Sequence, residues 1–97
     1  MNKYEEIRKY SDPDIVFKRA KNIYGKNVII DISDKPQKKY KLYNPNTNNF
    51  FHFGAMGYED YTKHKDEKRR KLFQIRNNRW AKNDKYTSSF ASYFLLW

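Results

Sequence analysis

Cysteine is absent from the 97 residues of this chain. That absence excludes a disulfide framework, a thiolate metal site and a cysteine nucleophile, and it suits a reducing compartment. Glycine and proline number three each, too few and too scattered for a flexible or Pro-rich linker between two cores. One domain over residues 1–97 is expected, with residues 1–27 as an N-terminal helical extension and residues 28–97 as the core. Long hydrophobic runs are also lacking. The opening MNKYEEIRKY has acidic residues where a secretory signal needs an apolar stretch, and nothing approaches the roughly 18 apolar residues of a membrane span. A soluble, intracellular protein is expected. Gly54 and Gly57 stand alone, without the lysine pattern of a phosphate-binding loop, so they are expected to turn the chain rather than cradle a nucleotide.

Aromatic rings and positive charge are what the chain has in quantity. Only 38% of its residues are hydrophobic, against the usual roughly 45 to 50%. Nine Tyr, seven Phe and two Trp nevertheless bury much area per residue. A thin aromatic core of modest stability follows, with some rings left over for an interface. The net charge of +10 is unevenly spread. Residues 61–85 hold ten Lys/Arg and three Asp/Glu, a net +7, whereas residues 1–60 hold eleven and eight, a net +3. Such a concentration attracts phosphate backbones, acidic proteins or anionic lipid heads through a field that salt screens over about 8 to 10 Å.

A first helix is predicted over residues 12–24. Ser11-Asp12-Pro13-Asp14 supplies a cap, a first-turn proline and early carboxylates, and Gly25 marks the end. Ile15, Val16, Ala20, Ile23 and Tyr24 give it a partial apolar stripe. The β-branched run VIIDI at residues 28–32 reads as a strand. Tyr40 and Leu42 alternate with Lys39, Lys41 and Tyr43, and Phe50, Phe51, His52 and Phe53 follow Asn44-Pro45-Asn46-Thr47. This is the pattern of a β-hairpin closed by a loop of four or five residues. A second helix is predicted to start near residues 60–62 and to run to about Asn77, with Thr62 as a candidate cap and Asp66 and Glu67 in its early turns. It has no broad core stripe, because Lys65, Arg69 and Arg76 project between Leu72 and Phe73. The apolar residues 88–97 read as a short helix whose Phe90, Tyr93, Phe94 and Trp97 form one face packed on the sheet. The fold class is α+β: an N-terminal helix, a small antiparallel sheet of a hairpin plus a third strand, a basic helix and a short apolar C-terminal helix.

The stretch HFGAMGYEDYTKHKDEKRR at residues 52–70 stands with Lys38-Lys39-Tyr40 in the hairpin, Asn44-Pro45 in its turn and a closing Leu96-Trp97. In these words and their order the chain resembles an uncharacterised family of small proteins encoded by giant nucleocytoplasmic DNA viruses. The resemblance spans residues 35–97 and leaves the N-terminal helix outside. It implies a viral source and a location in the host cytoplasm, the viral factory or the virion. It transfers no catalytic residues, since the family has no established activity. Members commonly carry Tyr on the basic helix where this chain has Phe73, so no phenolic hydroxyl is offered there.

The leading constellation is Asp66, Arg69, Arg70, Phe73, Arg76 and Asn77, spaced to share one helix face. Two arginines beside a ring suit forked phosphate contacts and base stacking. The competing reading is internal, with Asp66 paired to Arg70 and Phe73 docked on the sheet. A second surface is the aromatic hairpin, where Tyr40, Tyr43, Phe50, Phe51 and Phe53 lie among Lys39 and Lys41 as in single-strand platforms. His52, Glu59, Asp60, His64, Lys65 and Asp66 include residue types used in metal-dependent phosphodiester cleavage. They lack a His-x-x-x-His pair and clustered carboxylates, which disfavours a nuclease. The run KRRK at residues 68–71 resembles a nuclear import signal but lies within the predicted helix. The expectation is non-catalytic, charge-driven binding of DNA or RNA through Lys65, Arg69, Arg70, Phe73, Arg76, Arg79 and Lys82, with Lys39 and Lys41. The alternative is a structural or assembly role through contacts with a viral protein or a second copy, for which a patch around Trp80 and Trp97 would speak. No cofactor, metal or small-molecule substrate is expected.

Overall fold

The structure, a computed structural model, describes residues 2–97. Helix α1, Lys3–Ile7, is a single turn that the apolar pattern did not foretell. Its signal is local: Asn2 accepts the Glu5 amide at 2.9 Å, and Asn-x-x-Glu has the spacing of a capping box. Ile7 anchors the turn in the core. Helix α2, Pro13–Tyr24, runs as the sequence predicts, with Asp12 accepting the Asp14 amide and Gly25 closing the end at φ 102°. Val16 and Ala20, one turn apart, are fully buried, and Phe17 meets Tyr40 edge-on at 6.0 Å. Helices α1 and α2 are therefore no extension. Ile7, Val16 and Ala20 share one core with Tyr40, Leu42 and Phe53.

Strands β1, Ile30–Ile32, β2, Lys38–Asn44, and β3, Asn49–Ala55, form an antiparallel sheet in the order β1-β2-β3. β1 begins later than predicted because the Val28 amide is held by Gly25 O at 3.1 Å in the turn after α2. Asn44 pairs with Asn49, which leaves residues 45–48 as a four-residue loop, within the predicted four or five. Asn48 takes a left-handed φ of 57° there, a conformation that asparagine tolerates. Tyr40 pairs with Phe53 and Leu42 with Phe51, so four apolar side chains line one face of the sheet. Lys39 points to the opposite face and is buried as well. Leu96 lies there: a Cβ on Gly54, itself at φ 83°, would come within 3.1 Å of both Leu96 Cδ1 and Lys39 Cβ.

The predicted second helix is two. Helix α3, Tyr61–His64, starts at Asp60, whose carboxylate accepts the Thr62 amide, and ends at Lys65 in a left-handed turn. Helix α4, Glu67–Arg76, starts afresh at Asp66, which accepts the amides of Lys68 and Arg69 at 3.0 and 3.2 Å. Two aspartates compete as caps within one stretch, and each satisfies its own set of orphan amides. Thr62 is not a cap; it is buried, and its Oγ1 accepts the Asp12 amide at 2.8 Å. A 3-10 turn, Asn78–Lys82, follows α4.

Helix α5, Ser88–Ala91, capped by Thr87, continues as a π-turn over Ser92–Leu96. The tail docks on α2 and β3, but not through the expected ring face. Ala91, Leu95 and Leu96 are the buried residues. Phe90, Tyr93, Phe94 and Trp97 are half-buried around them, Phe90 against Tyr24 at 6.2 Å and Tyr93 against Phe73 at 6.4 Å. Slim side chains enter the gap between helix and sheet, and the rings close its sides. Among the described residues no helix is long and apolar enough to cross a membrane.

Candidate nucleic-acid interface

Helix α4 is fastened to the body by two side chains and presents the rest of its surface outward. Phe73 stacks on Trp97 with ring centres 4.3 Å apart and planes 6° from parallel, while Trp80 meets it edge-on at 5.7 Å. Arg70 Nε donates to the Trp97 carbonyl at 2.9 Å, and the guanidinium lies over the Tyr61 ring at 4.8 Å. Glu67, one turn before, sits 3.7 Å from Arg70 and takes the part expected of Asp66. Asn77 Nδ2 donates back to Phe73 O at 3.0 Å. The predicted one-face constellation therefore divides. Arg70, Phe73 and Asn77 turn inward, Asp66 is spent on the cap, and only Arg69 and Arg76 remain at the surface.

The outward face is cationic. Lys63, Lys65, Lys68, Lys71, Arg76, Arg79 and Lys82 are exposed and have no carboxylate within ion-pair distance among the described residues. Arg69 alone has one, Glu59 at 3.8 Å across a solvated gap. Leu72 and Ile75 stand among these cations at 50% and 72% exposure.

Lys39 does not belong to this surface. Its Nζ is 3.0 Å from Asp60 Oδ2 and donates to Tyr58 O at 2.6 Å, and both partners of the ion pair are 2% exposed. Burial lowers the Lys39 pKa, and the Asp60 charge offsets part of that shift. An ammonium so placed cannot reach a phosphate. Lys41 is half-buried, 4.7 Å from the Phe50 ring centre and 4.0 Å from Asp34. The aromatic platform read from the hairpin shrinks in the same way: Tyr40 and Phe53 are core, and Tyr43 with Phe50 form an edge-on pair at the strand ends.

A cleft of about 440 Å³ opens beside α4. Phe53, Phe73, Trp80, Leu96 and Trp97 give it apolar walls, and the Lys39–Asp60 pair and Ser88, Ser89 and Ser92 contribute polar groups. Trp80 and Trp97 form walls of this cleft in place of the exposed apolar patch expected around them. Nothing in the linear order announces that Phe53, Phe73, Trp80 and Trp97 converge. The sole hint was a tryptophan set between Arg79 and Lys82.

The residues weighed for phosphodiester cleavage are dispersed. His52 Nδ1 lies 2.6 Å from Ser33 Oγ, and Asp60 holds Lys39. His64 Nδ1 accepts the Asp66 amide at 2.9 Å, and its ring rests against Trp97 at 5.2 Å. Desolvation lowers the pKa of both histidines. Among the described residues no three His, Cys, Asp or Glu side chains gather as a metal would need.

Residues 28–77 match the model of a family of unknown function, DUF5754. The chain belongs to that family. No curated protein matches it, and no solved structure does. The matched span runs from just before β1 to the residue after α4. It holds the sheet, the Lys39–Asp60 pair and the basic helix, and it excludes Trp80 and the apolar tail.

Proposed function

We propose that this protein binds nucleic acid by charge, without catalysis, through the outward face of α4 and the 3-10 turn after it. The observation behind this reading is the group of exposed cations there, of which Arg69 alone has a carboxylate within ion-pair distance. Its phosphate contacts are Arg69, Arg76, Arg79 and Lys82, joined by Lys65 from the turn before α4. Arg70 and Lys39 leave the set because each is committed inside the fold, and Phe73 and Lys41 do not contact phosphate. Each neutralised phosphate releases condensed counterions, so five contacts on duplex DNA give a log–log salt slope of about −4.5. Fluorescence anisotropy over a salt series measures it. Replacing Arg69 and Arg76 together by Gln should lower that slope by about 2 and leave the melting temperature unchanged. Binding that is flat with salt removes the reading.

The resemblance of residues 52–70 to proteins of giant DNA viruses supports setting this activity in a viral factory or virion. A second reading, assembly with a protein partner, draws on Leu72 and Ile75, apolar side chains exposed on the same helix. Replacing both by Ser separates the two. Loss of self-association or of a viral partner with unchanged DNA affinity favours assembly.

A further inference from the structure

The cleft beside α4 has no part in a purely electrostatic mechanism, yet it shares Phe73 with the basic helix and Trp80 with the basic 3-10 turn. Its volume of about 440 Å³ falls within the roughly 300 to 1,000 Å³ of small-ligand sites. Its walls offer the rings of Phe73, Trp80 and Trp97, and every base has a π-face to set against a ring. Cations flank two of those rings: Arg76 lies one turn beyond Phe73, and Arg79 and Lys82 bracket Trp80. A polar edge is met as well, by the hydroxyls of Ser88, Ser89 and Ser92 on the wall of the cleft.

From these features we infer that the cleft receives an unpaired nucleobase whose phosphates lie on the flanking arginines. The inference rests on the nucleic-acid reading and narrows it to single strands or unpaired ends, because a paired base keeps both faces stacked in the duplex. The same chemistry would admit the base of a free nucleotide.

Trp80 and Trp97 are the only tryptophans in the chain, and both line the cleft, so intrinsic tryptophan emission reports its occupancy. The full-length protein is titrated with an oligothymidylate, with a blunt duplex of equal length and with AMP and thymidine monophosphate, while anisotropy of labelled strands reports binding separately. The single strand should quench the emission and the duplex should bind without quenching. Quenching by AMP too would show that a single nucleotide suffices; quenching by the strand and not by AMP or by thymidine monophosphate would show that neighbouring phosphates are needed. Trp80→Leu should weaken single-strand binding about tenfold, the loss of one stacked base, and leave duplex binding unchanged. Equal affinity for both strand forms with unchanged emission overturns the base site and leaves phosphate binding standing. Failure to bind either form overturns the nucleic-acid reading itself.

Discussion

Lys39 and Asp60 show how one buried pair can organise several elements. Asp60 Oδ2 faces the ammonium at 3.0 Å, while Oδ1 accepts from the amide and hydroxyl of Thr62. Thr62 Oγ1 in turn meets Ser11 Oγ at 3.1 Å, and Ser11 accepts from the Tyr40 hydroxyl at 2.7 Å. This chain of polar contacts binds β2, the start of α3 and the residue before the α2 cap into one unit. Removing a single member of a buried pair leaves an uncompensated charge, whereas replacing both can be nearly neutral. Asp60→Asn, which keeps an oxygen for the cap, should therefore cost about 3 to 5 kcal/mol. The double change with Lys39→Met should recover much of that loss. Urea denaturation of the two single variants and the double closes the cycle. Equal costs for the double and the sum of the singles would mean that the two charges are independently hydrated.

At the scale of the element, the junction between α3 and α4 turns on His64. Its Nδ1 must be unprotonated to accept the Asp66 amide, which holds the left-handed turn at Lys65. Burial, reinforced by the Arg69 charge, lowers the His64 pKa below its ordinary 6.5, against the opposing pull of Glu59, Asp66 and Asp60. The unfolded chain therefore binds this proton more readily than the folded one. Stability is full above about pH 6.5 and declines as pH falls below it, until the folded pKa is passed. His52 adds to the decline in the same sense. Melting temperature should drop between about pH 7 and pH 5, with a shallower slope in His64→Gln. Identical slopes would detach the junction from this histidine.

The same junction shows what the sequence made legible. Helix α2 begins and ends where predicted because Asp12, Pro13 and Gly25 are local signals, and the hairpin follows from alternation and Asn-Pro. The break at residues 65–66 was hidden because Asp66 also fits a first-turn acid within a longer helix. What decides it is a side chain of the preceding turn reaching forward. Lys39 was legible as a charge on an alternating strand, but that both faces of the sheet are covered at that point depends on Leu96, far along the chain. The cleft lay beyond reach for the same reason: its walls come from β3, α4, the 3-10 turn and the tail.

Across the whole molecule, charge and closure are segregated. Residues 86–97 carry no charged side chain, and they seal the core that the basic segment leaves open. Two arginines fix the end of the chain: Arg19 donates to Leu95 O at 3.2 Å and Arg70 to Trp97 O at 2.9 Å. Cationic donors at the last carbonyls of a helix satisfy groups that have no intrahelical partner. Leu95 and Leu96 are buried, and Trp97 supplies the ring on which Phe73, and so α4, rests. Truncating one buried leucine to Ala costs about 2 to 5 kcal/mol, and a domain of this size has total stability near the bottom of the usual range of about 5 to 15 kcal/mol. Deleting residues 90–97 removes both leucines, Ala91 and the seat of Phe73 together. The truncated chain should lose its cooperative thermal transition and its near-ultraviolet circular dichroism, with α4 released from the body. A truncated protein that stays folded and monomeric, and loses only its association with itself or with a partner protein, would mark the tail as an interface. Assembly would then stand ahead of nucleic-acid binding as the role of this domain.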